Sequence, residues 1–304
     1  MLRWIRKFRW SSLLSDLKSS PGASQPTPAA NNDAARFDIK DSRLQNTLSA
    51  IRSCPCRVRL ARAADTGEVV AFVQRNLLHH EPLLRALNVG EIPGREQWLD
   101  YVRQLLRDSF TLVALADDGS DRSPNGRIVG VAISRRSCSW DGKQLIERAD
   151  RTRCDQLRKL LYIWSIVESE PALHQHFCTR CLFEIAFLAT SVELQRQGIG
   201  LHLTLHSLQL ARDLGFHFAR MNCTCEYSSR VASKAGLECC WTVAYHHLVD
   251  SSKQPVVQPA PPHTHIKVHA MALFPELSIK SSCSACLTTI HPTVGTVSSR
   301  DEDE

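Results

Sequence analysis

The sequence predicts a three-layer α/β domain with a mixed central sheet, and three observations carry that prediction. Strand-like and helix-like segments follow the order β–α–α–β–β–α–β–α–β–α–β–β, which suits one sheet covered by helices. The segment CLFEIAFLAT, residues 181–190, is almost continuously apolar, as strands buried on both faces are. A glycine-containing bend at residues 195–200 then leads directly into a long amphipathic stretch.

The domain is predicted to begin with a short strand, CRVRLARA, that ends near Ala61. Asp65 and Thr66 suit the start of the next helix, because their side-chain oxygens can accept hydrogen bonds from its free N–H groups. Another helical segment follows Pro82. A residue before proline disfavours the helical conformation, so Glu81 is expected at the break between the two helices.

A further helix, a β-hairpin and a long helix are predicted next. Residues 110–116 and 127–134 are strand-like and flank a stretch rich in Asp, Gly, Ser and Pro, which is typical of a turn. The segment QLIERADRTRCDQLRKLLYIWSIVESE is predicted to be one long helical segment. The helix before the hairpin, in REQWLDYVRQLLRD, is indicated by apolar residues at helical spacing: Trp98, Val102, Leu105 and Leu106.

The second half of the domain continues with the helix after the glycine bend. A strand HFARMNCTC, a helix YSSRVASKAG that stops at Gly236, and strands ECCWTVAYHHL and HIKVHAMAL complete the prediction. The buried stripe of the helix after the bend is predicted to comprise Leu201, Leu205, Leu208 and Ala211 or Leu214.

Composition argues against a membrane-spanning protein and gives no support to a nucleic-acid-binding one. The chain has 304 residues, 43% of them apolar, and no apolar run approaches the ~20 residues that span a bilayer. The net charge of +6 comes from 37 basic and 31 acidic residues and is scattered, so it does not indicate nucleic-acid binding. It suits an anionic cofactor and an ordinary soluble protein equally well.

The two ends of the chain differ in composition from the domain. Residues 1–56 combine a basic amphipathic opening, MLRWIRKFRW, with a Pro/Ser/Ala/Asn linker. The opening suits a mitochondrial presequence or a membrane-surface helix, and equally a leader without a targeting function. Residues 57–277 are predicted to form the ordered domain, and residues 278–304 a polar tail with an acidic end. A cytoplasmic location is expected, with mitochondrial targeting as the alternative.

Twelve cysteines and no apolar signal-peptide stretch favour a reducing, intracellular compartment. The segment HQHFCTRC brings His174, His176, Cys178 and Cys181 close together in sequence. A structural zinc site would need a matching pair elsewhere, and Cys283 and Cys286 lie in the polar tail. No metal is therefore expected.

The bend ELQRQGIG has the composition of an anion-binding loop. A strand that enters a helix through glycines leaves helix N–H groups free, and glycine allows a phosphate to approach the backbone closely. A Walker A loop is excluded, since no Gly-Lys-Ser/Thr follows, and a dinucleotide fingerprint would need glycine where Leu203 stands. A tight turn without a ligand stays open on these residues alone.

The surrounding residues resemble the GNAT superfamily of N-acetyltransferases. The run LATSVELQRQGIGLHLTLHSLQL is similar to that family's Gln/Arg-x-x-Gly-x-Gly/Ala motif, and Lys234-Ala235-Gly236-Leu237 resembles its next helix end. The segment FVQRNLLHHEPLLRALNV is similar to invertebrate arylalkylamine N-acetyltransferases. The resemblance spans roughly residues 57–275 and implies a three-layer GNAT fold with a mixed, mostly antiparallel central sheet flanked by helices.

The resemblance implies acetyl-CoA as co-substrate. Its pyrophosphate would bind the amides of Gln197, Gly198, Ile199 and Gly200, with Gln195 and Arg196 at the loop entrance. The backbone of Leu188, Ala189 and Thr190 would bind the pantetheine as an added strand. The partner expected is a small primary amine, with neither nucleic acid nor a transmembrane segment.

The resemblance also implies catalytic residues. It assigns the general base to Glu81, and it places Thr224 and Ser228 near the thioester, where a hydroxyl would reprotonate the leaving thiolate or merely cap a helix. The family's frequent tyrosine acid is replaced by Ala232, and Tyr227 is off register. Four histidines in pairs are weaker candidates and more typical of surface residues: His79, His80, His246 and His247.

Three functions follow from these residues. The first is acetyl transfer from acetyl-CoA to a small primary amine of the arylalkylamine class. The second is acetylation of a polyamine or a protein amine, because no residue near 75–100 or 225–250 fixes the substrate. The third is a catalytically weak coenzyme-binding sensor, which the missing tyrosine and Thr190, where the family has valine, keep open.

Overall fold

The computed structural model describes residues 56–108, 110–116, 126–250 and 253–274. The basic leader, most of the linker, the hairpin turn and the acidic tail lie outside the described residues. The described strands form one sheet in the order β1-β2-β3-β4-β5-β7-β6. They are β1 Cys56–Leu60, β2 Leu112–Ala116, β3 Ile128–Cys138, β4 Cys181–Thr190, β5 Phe218–Cys223, β6 Glu238–Ala244 and β7 His265–Ala272.

Helices occupy the connections between these strands. A π-helical turn at Gln74–Leu78 directly follows the first α-helix. The α-helices are α1 Thr66–Val73, α2 Pro82–Ala86, α3 Gly94–Leu105, α4 Asp141–Arg151, α5 Asp155–Ser169, α6 Leu173–His176, α7 Ile199–Asp213 and α8 Glu226–Lys234. No helix among the described residues is long and apolar enough to cross a membrane.

The sheet is antiparallel except where β4 and β5 run side by side. That parallel pairing covers only Phe183–Ile185 of β4 and Ala219–Met221 of β5. Beyond it, β4 continues along β3, where Leu188 lies opposite Ala132 and Thr190 opposite Gly130. The two central strands therefore separate, and their free edges open a gap in the middle of the sheet.

Apolar side chains fill both faces of the sheet, which confirms the three-layer prediction. One core contains Val69 of α1, Trp98 of α3 and Leu160 of α5. The other contains Leu208 of α7 and Ala232 of α8. Since each core is closed by helices, the sheet is the middle layer.

The long helix predicted over QLIERADRTRCDQLRKLLYIWSIVESE is two helices, α4 and α5. Thr152 is extended, with ψ of 137°, and Cys154 precedes the second helix in an extended conformation. Leu145 of α4 and Leu157 of α5 are both buried in the same core. A break between the helices lets each apolar stripe face that core, which one straight helix would not allow.

Two predictions of burial are also corrected. Leu214 is 41% exposed because α7 ends at Asp213, and Leu201 is only half-buried, while Leu205, Leu208 and Ala211 are buried as predicted. Residues 186–188 of β4 are half-buried instead of fully buried on both faces. They border a cavity.

Candidate active site

A cavity of about 230 Å³ lies where β4 and β5 separate. Its wall includes Leu188, Ala189 and Thr190 of β4 and the residues that follow β5. The break before α2 closes another side, and through it Glu81 reaches the cavity. The cavity thus joins segments that are far apart in the sequence, as ligand sites at a strand divergence do.

Glu81 has two roles that its position at the break explains. It is the N-cap of α2, with extended backbone before Pro82, and its Oε2 accepts the N–H of Leu84 at 2.7 Å. Its Oε1 accepts the hydroxyl of Thr224 at 2.7 Å. Burial raises the pKa of the Glu81 carboxyl, although both hydrogen bonds act in the opposite direction.

Thr224 lies on the segment between β5 and α8, Ser228 lies in the first turn of α8, and both line the cavity. The Tyr245 hydroxyl donates to the Thr224 carbonyl at 2.5 Å and fixes this segment. The Ser228 hydroxyl donates to the Cys225 carbonyl at 2.9 Å. The start of α8 is capped by the Cys225 sulfur, which accepts the N–H of Ser228. The structure therefore brings Thr224 into contact with Glu81 and places Ser228 on the same cavity wall.

His263 also lines the cavity, and the sequence prediction missed it. Its Nδ1 accepts the N–H of Glu226 at 3.2 Å, so the proton of the neutral ring is on Nε2. Burial lowers the pKa of His263, which favours the neutral ring. The only local signal is its place after two prolines in the loop before β7; contact with α8 is a tertiary feature.

A buried ionic network borders the cavity, and three of its residues line the wall: Arg135, Glu168 and Glu184. Arg135 of β3 bonds to Asp141 and lies 2.5 Å from Glu184 Oε2, and Arg220 lies 3.1 Å from Glu168. The network has three carboxylates and two guanidinium groups, hence one excess negative charge when all are ionised. These residues come from β3, β4, β5, α4 and α5, and no local pattern in the sequence indicated them.

A β-bulge in β4 decides which side chains face this network. Ile133 of β3 pairs with Phe187, but the next residue, Ser134, pairs with Ile185, so Ala186 is the extra residue. Residues an odd number apart normally face opposite sides of a strand. The bulge brings Glu184 and Phe187 to the same face, towards α3 and α5.

The glycine bend between β4 and α7 has the backbone conformation that its composition predicts. Gly198 has φ of +83° and Arg196 has φ of +64°. The first turn of α7 presents N–H groups that have no acceptor within the helix. A side chain at Gly200 would lie 3.6 Å from Leu188 and 3.7 Å from Thr190, so the helix start abuts the end of β4.

Gly130 of β3 allows this approach. A Cβ atom there would lie 2.8 Å from both Ile199 and Leu203 of α7, closer than side chains pack. The beginning of α7 is therefore held against the sheet beside the separated strands. Gln195, Gln197 and Gly198 are exposed around it, while Ile199 is buried as an anchor.

The other candidate residues are dispersed. His79, His246 and His247 are exposed, and His80 is exposed at the cavity rim. Tyr227 is 57% exposed and contacts the His263 ring edge-on.

The Cys/His segment does not assemble. His174 bonds to the Ser137 carbonyl, whereas Cys181 faces Cys138, and no metal-binding group of three His, Cys, Asp or Glu occurs in the described part of the chain.

No protein-family model matches the sequence, and no curated protein is similar to it in sequence. Solved structures do match. They include an agmatine N-acetyltransferase (22% identity, TM-score 0.64, 72% of this chain and 99% of that one) and arylalkylamine N-acetyltransferase 2 from Aedes aegypti (21%, 0.64, 72% and 99%). The polyamine N-acetyltransferase of Drosophila melanogaster matches at 22% identity and TM-score 0.63 over 71% and 99%.

These matches define the class of structure: the chain has the GNAT fold, with a mixed, mostly antiparallel seven-stranded sheet. The neighbours are insect arylalkylamine and agmatine N-acetyltransferases, as the sequence resemblance predicted. At this level of identity the likeness is one of fold.

Proposed function

We propose that the protein is an acetyl-CoA-dependent N-acetyltransferase that acetylates a small primary amine of the arylalkylamine class. The observation that carries this proposal is the Glu81–Thr224 pair, which places a carboxylate of raised pKa in the cavity between the separated strands. A half-buried carboxylate of raised pKa beside a cavity is suited to receive a proton from a bound amine.

The residues present suit acetyl-CoA. Gly198 and Gly200 leave the loop backbone accessible, and the free N–H groups at the start of α7 favour a pyrophosphate. Leu188, Ala189 and Thr190 border the gap where β4 has left β5, so their backbone can receive an extended group. Gln195, Arg196, Gln197 and Ile199 complete the proposed binding loop. When bound, acetyl-CoA supplies a thioester as the electrophile.

The chain's own residues would prepare the amine. A primary ammonium has an ordinary pKa near ~10, so it must lose a proton before its nitrogen can attack. Glu81 would accept that proton at its carboxylate, directly or through water, and its negative charge would attract the cation. Holding the neutral amine beside the electrophile makes a covalent enzyme intermediate unnecessary. Thr224 or Ser228, on the same wall, would donate a proton to the leaving thiolate of coenzyme A.

A second candidate is acetylation of a polyamine, because two structural neighbours are an agmatine N-acetyltransferase and a polyamine N-acetyltransferase. Thiol release from acetyl-CoA, measured with tryptamine, dopamine, spermidine and a peptide panel, discriminates among these acceptors. Turnover of an arylalkylamine is expected. Tight coenzyme binding with no turnover of any amine would overturn the enzymatic proposal and favour a sensor.

A matched pair of glycines tests the coenzyme site. Gly198 and Gly215 lie at opposite ends of α7, both have positive φ, and a Cβ atom added at either would meet no other segment within 4 Å. Gly198→Glu adds strain, bulk and negative charge at the proposed pyrophosphate site and should abolish coenzyme A binding. Gly215→Glu adds the same strain elsewhere and should retain binding. Equal affinities in the two variants would refute the assignment.

A further inference from the structure

The cavity has two polar ends, one at Asn222 on β5 and one at Thr224, just beyond the last residue of that strand. At one end Thr224 bonds to Glu81, and at the other the Asn222 amide donates to Glu184 Oε1 at 2.7 Å. Thr224 follows Asn222 by two residues, so the backbone separates the ends by at most about 7 Å. A guest held by nitrogen at Glu81 can therefore extend its far end towards Glu184.

Aromatic side chains line the same cavity. Phe187, which the bulge turns to this face, lies 5.7 Å from Trp164 and 6.4 Å from Tyr101 between ring centroids. Tyr101 and Trp164 are themselves 5.5 Å apart. Three rings at tilted or edge-on angles offer a planar aromatic guest favourable contacts.

Glu184 has acceptor capacity that its protein partners do not fill. Arg135 lies against Oε2 at 2.5 Å and Asn222 donates to Oε1, while a carboxylate has roughly four acceptor positions. The residue is only 3% exposed, and burial raises its pKa. A donor from a bound guest would satisfy a carboxylate that water hardly reaches.

We propose that Glu184 determines acceptor specificity by binding a neutral hydrogen-bond donor, such as a phenolic hydroxyl, at the far end of an arylalkylamine. This inference rests on the proposed acetyltransferase function. A second cation at that end, as in a diamine, would lose its hydration at a carboxylate already shared with Arg135, and this desolvation cost would offset the attraction of the network's one excess negative charge. A neutral hydroxyl costs less to desolvate and still donates to the carboxylate.

Tyramine and 2-phenylethylamine test this role, because they differ only in the hydroxyl. The wild-type kcat/KM for tyramine is expected to exceed that for 2-phenylethylamine by roughly 10- to 100-fold, and putrescine should be the poorest of the three. In Glu184→Gln the tyramine to phenylethylamine ratio should fall towards one. The exposed Glu147, outside the cavity, provides the control Glu147→Gln, whose ratio should equal that of the wild type.

The outcomes separate the two proposals. Equal wild-type kcat/KM values, or a ratio unchanged in folded Glu184→Gln, would overturn the role of Glu184 while leaving acetyl transfer intact. If Glu184→Gln does not fold, the wild-type ratio decides. If no amine is acetylated, the acetyltransferase proposal fails. Equilibrium binding of tyramine and 2-phenylethylamine to the coenzyme-bound protein then tests the role of Glu184, and equal affinities would overturn that role.

Discussion

Replacing Glu81 with Gln separates the proposed catalytic role of this residue from its structural one. The glutamine oxygen can still accept the Leu84 N–H at the start of α2, and its amide group can donate to the Thr224 oxygen. The substitution keeps the side-chain volume and removes the charge. The fold should therefore survive while proton transfer is lost.

The two expected effects differ greatly in size. Loss of a general base lowers kcat/KM by about 10²- to 10⁴-fold, or roughly 3–5 kcal/mol of transition-state stabilisation. Stability should change by only about 1 kcal/mol, because weaker hydrogen bonds are offset by the absence of a desolvated charge. Glu81→Ala, which also removes the helix cap, should cost about 1 kcal/mol more.

The pH dependence gives a further readout. Because burial raises the pKa of Glu81, the wild-type kcat/KM should rise as pH increases through that raised pKa and the base becomes ionised. The native state also binds this proton more tightly than the unfolded chain does. The stabilisation is therefore full below the ordinary glutamate pKa and is lost as pH rises through the raised one. Glu81→Gln should lack both changes.

The assay is thiol release at saturating acetyl-CoA, combined with thermal unfolding of wild type, Glu81→Gln and Glu81→Ala. Glu81 is not the base if the Glu81→Gln variant keeps kcat/KM within about threefold of the wild type and its kcat/KM still falls at low pH as in the wild type. This fall at low pH is called the acid limb of the pH profile.

Three other substitutions test neighbouring features. Thr224→Val removes a hydrogen bond that favours the ionised Glu81, so the acid limb of the kcat/KM profile should move to higher pH; an unmoved limb would contradict the contact. Gly130→Ala should lower the free energy of unfolding by about 1–3 kcal/mol in denaturant titrations, and an unchanged midpoint would refute the close approach of α7. Arg220→Met leaves Glu168 with a broken buried ion pair and should cost about 3–5 kcal/mol, whereas a stability equal to wild type would show that the pair is dispensable.

Local patterns determined much of the fold in advance. The strand at residues 181–190, the glycine bend that contains Gly198 and the helix stop at Gly236 each depend on neighbouring residues alone. The break at Glu81 follows from Pro82 in the same way. Such features could be predicted because steric limits and hydrophobic periodicity act over a few residues.

Helix packing overrode the local pattern in one segment. Residues 141–169 have helical composition throughout, and nothing in their periodicity separates α4 from α5. The break at residues 152–154 lets both helices bury apolar side chains in one core. Tertiary burial therefore decided a boundary that propensity left undefined.

The amino-acid order alone is enough to predict that a glycine bend begins α7 and that Glu81 lies at a helix break. Folding in three dimensions is needed to bond Glu81 to Thr224, a residue 143 positions away, and to bring His263 to the same cavity. The extra residue at Ala186, which turns Phe187 towards Glu184, is likewise set by pairing with β3. These contacts depend on how distant strands and helices pack, and that information is not contained in any short stretch of sequence.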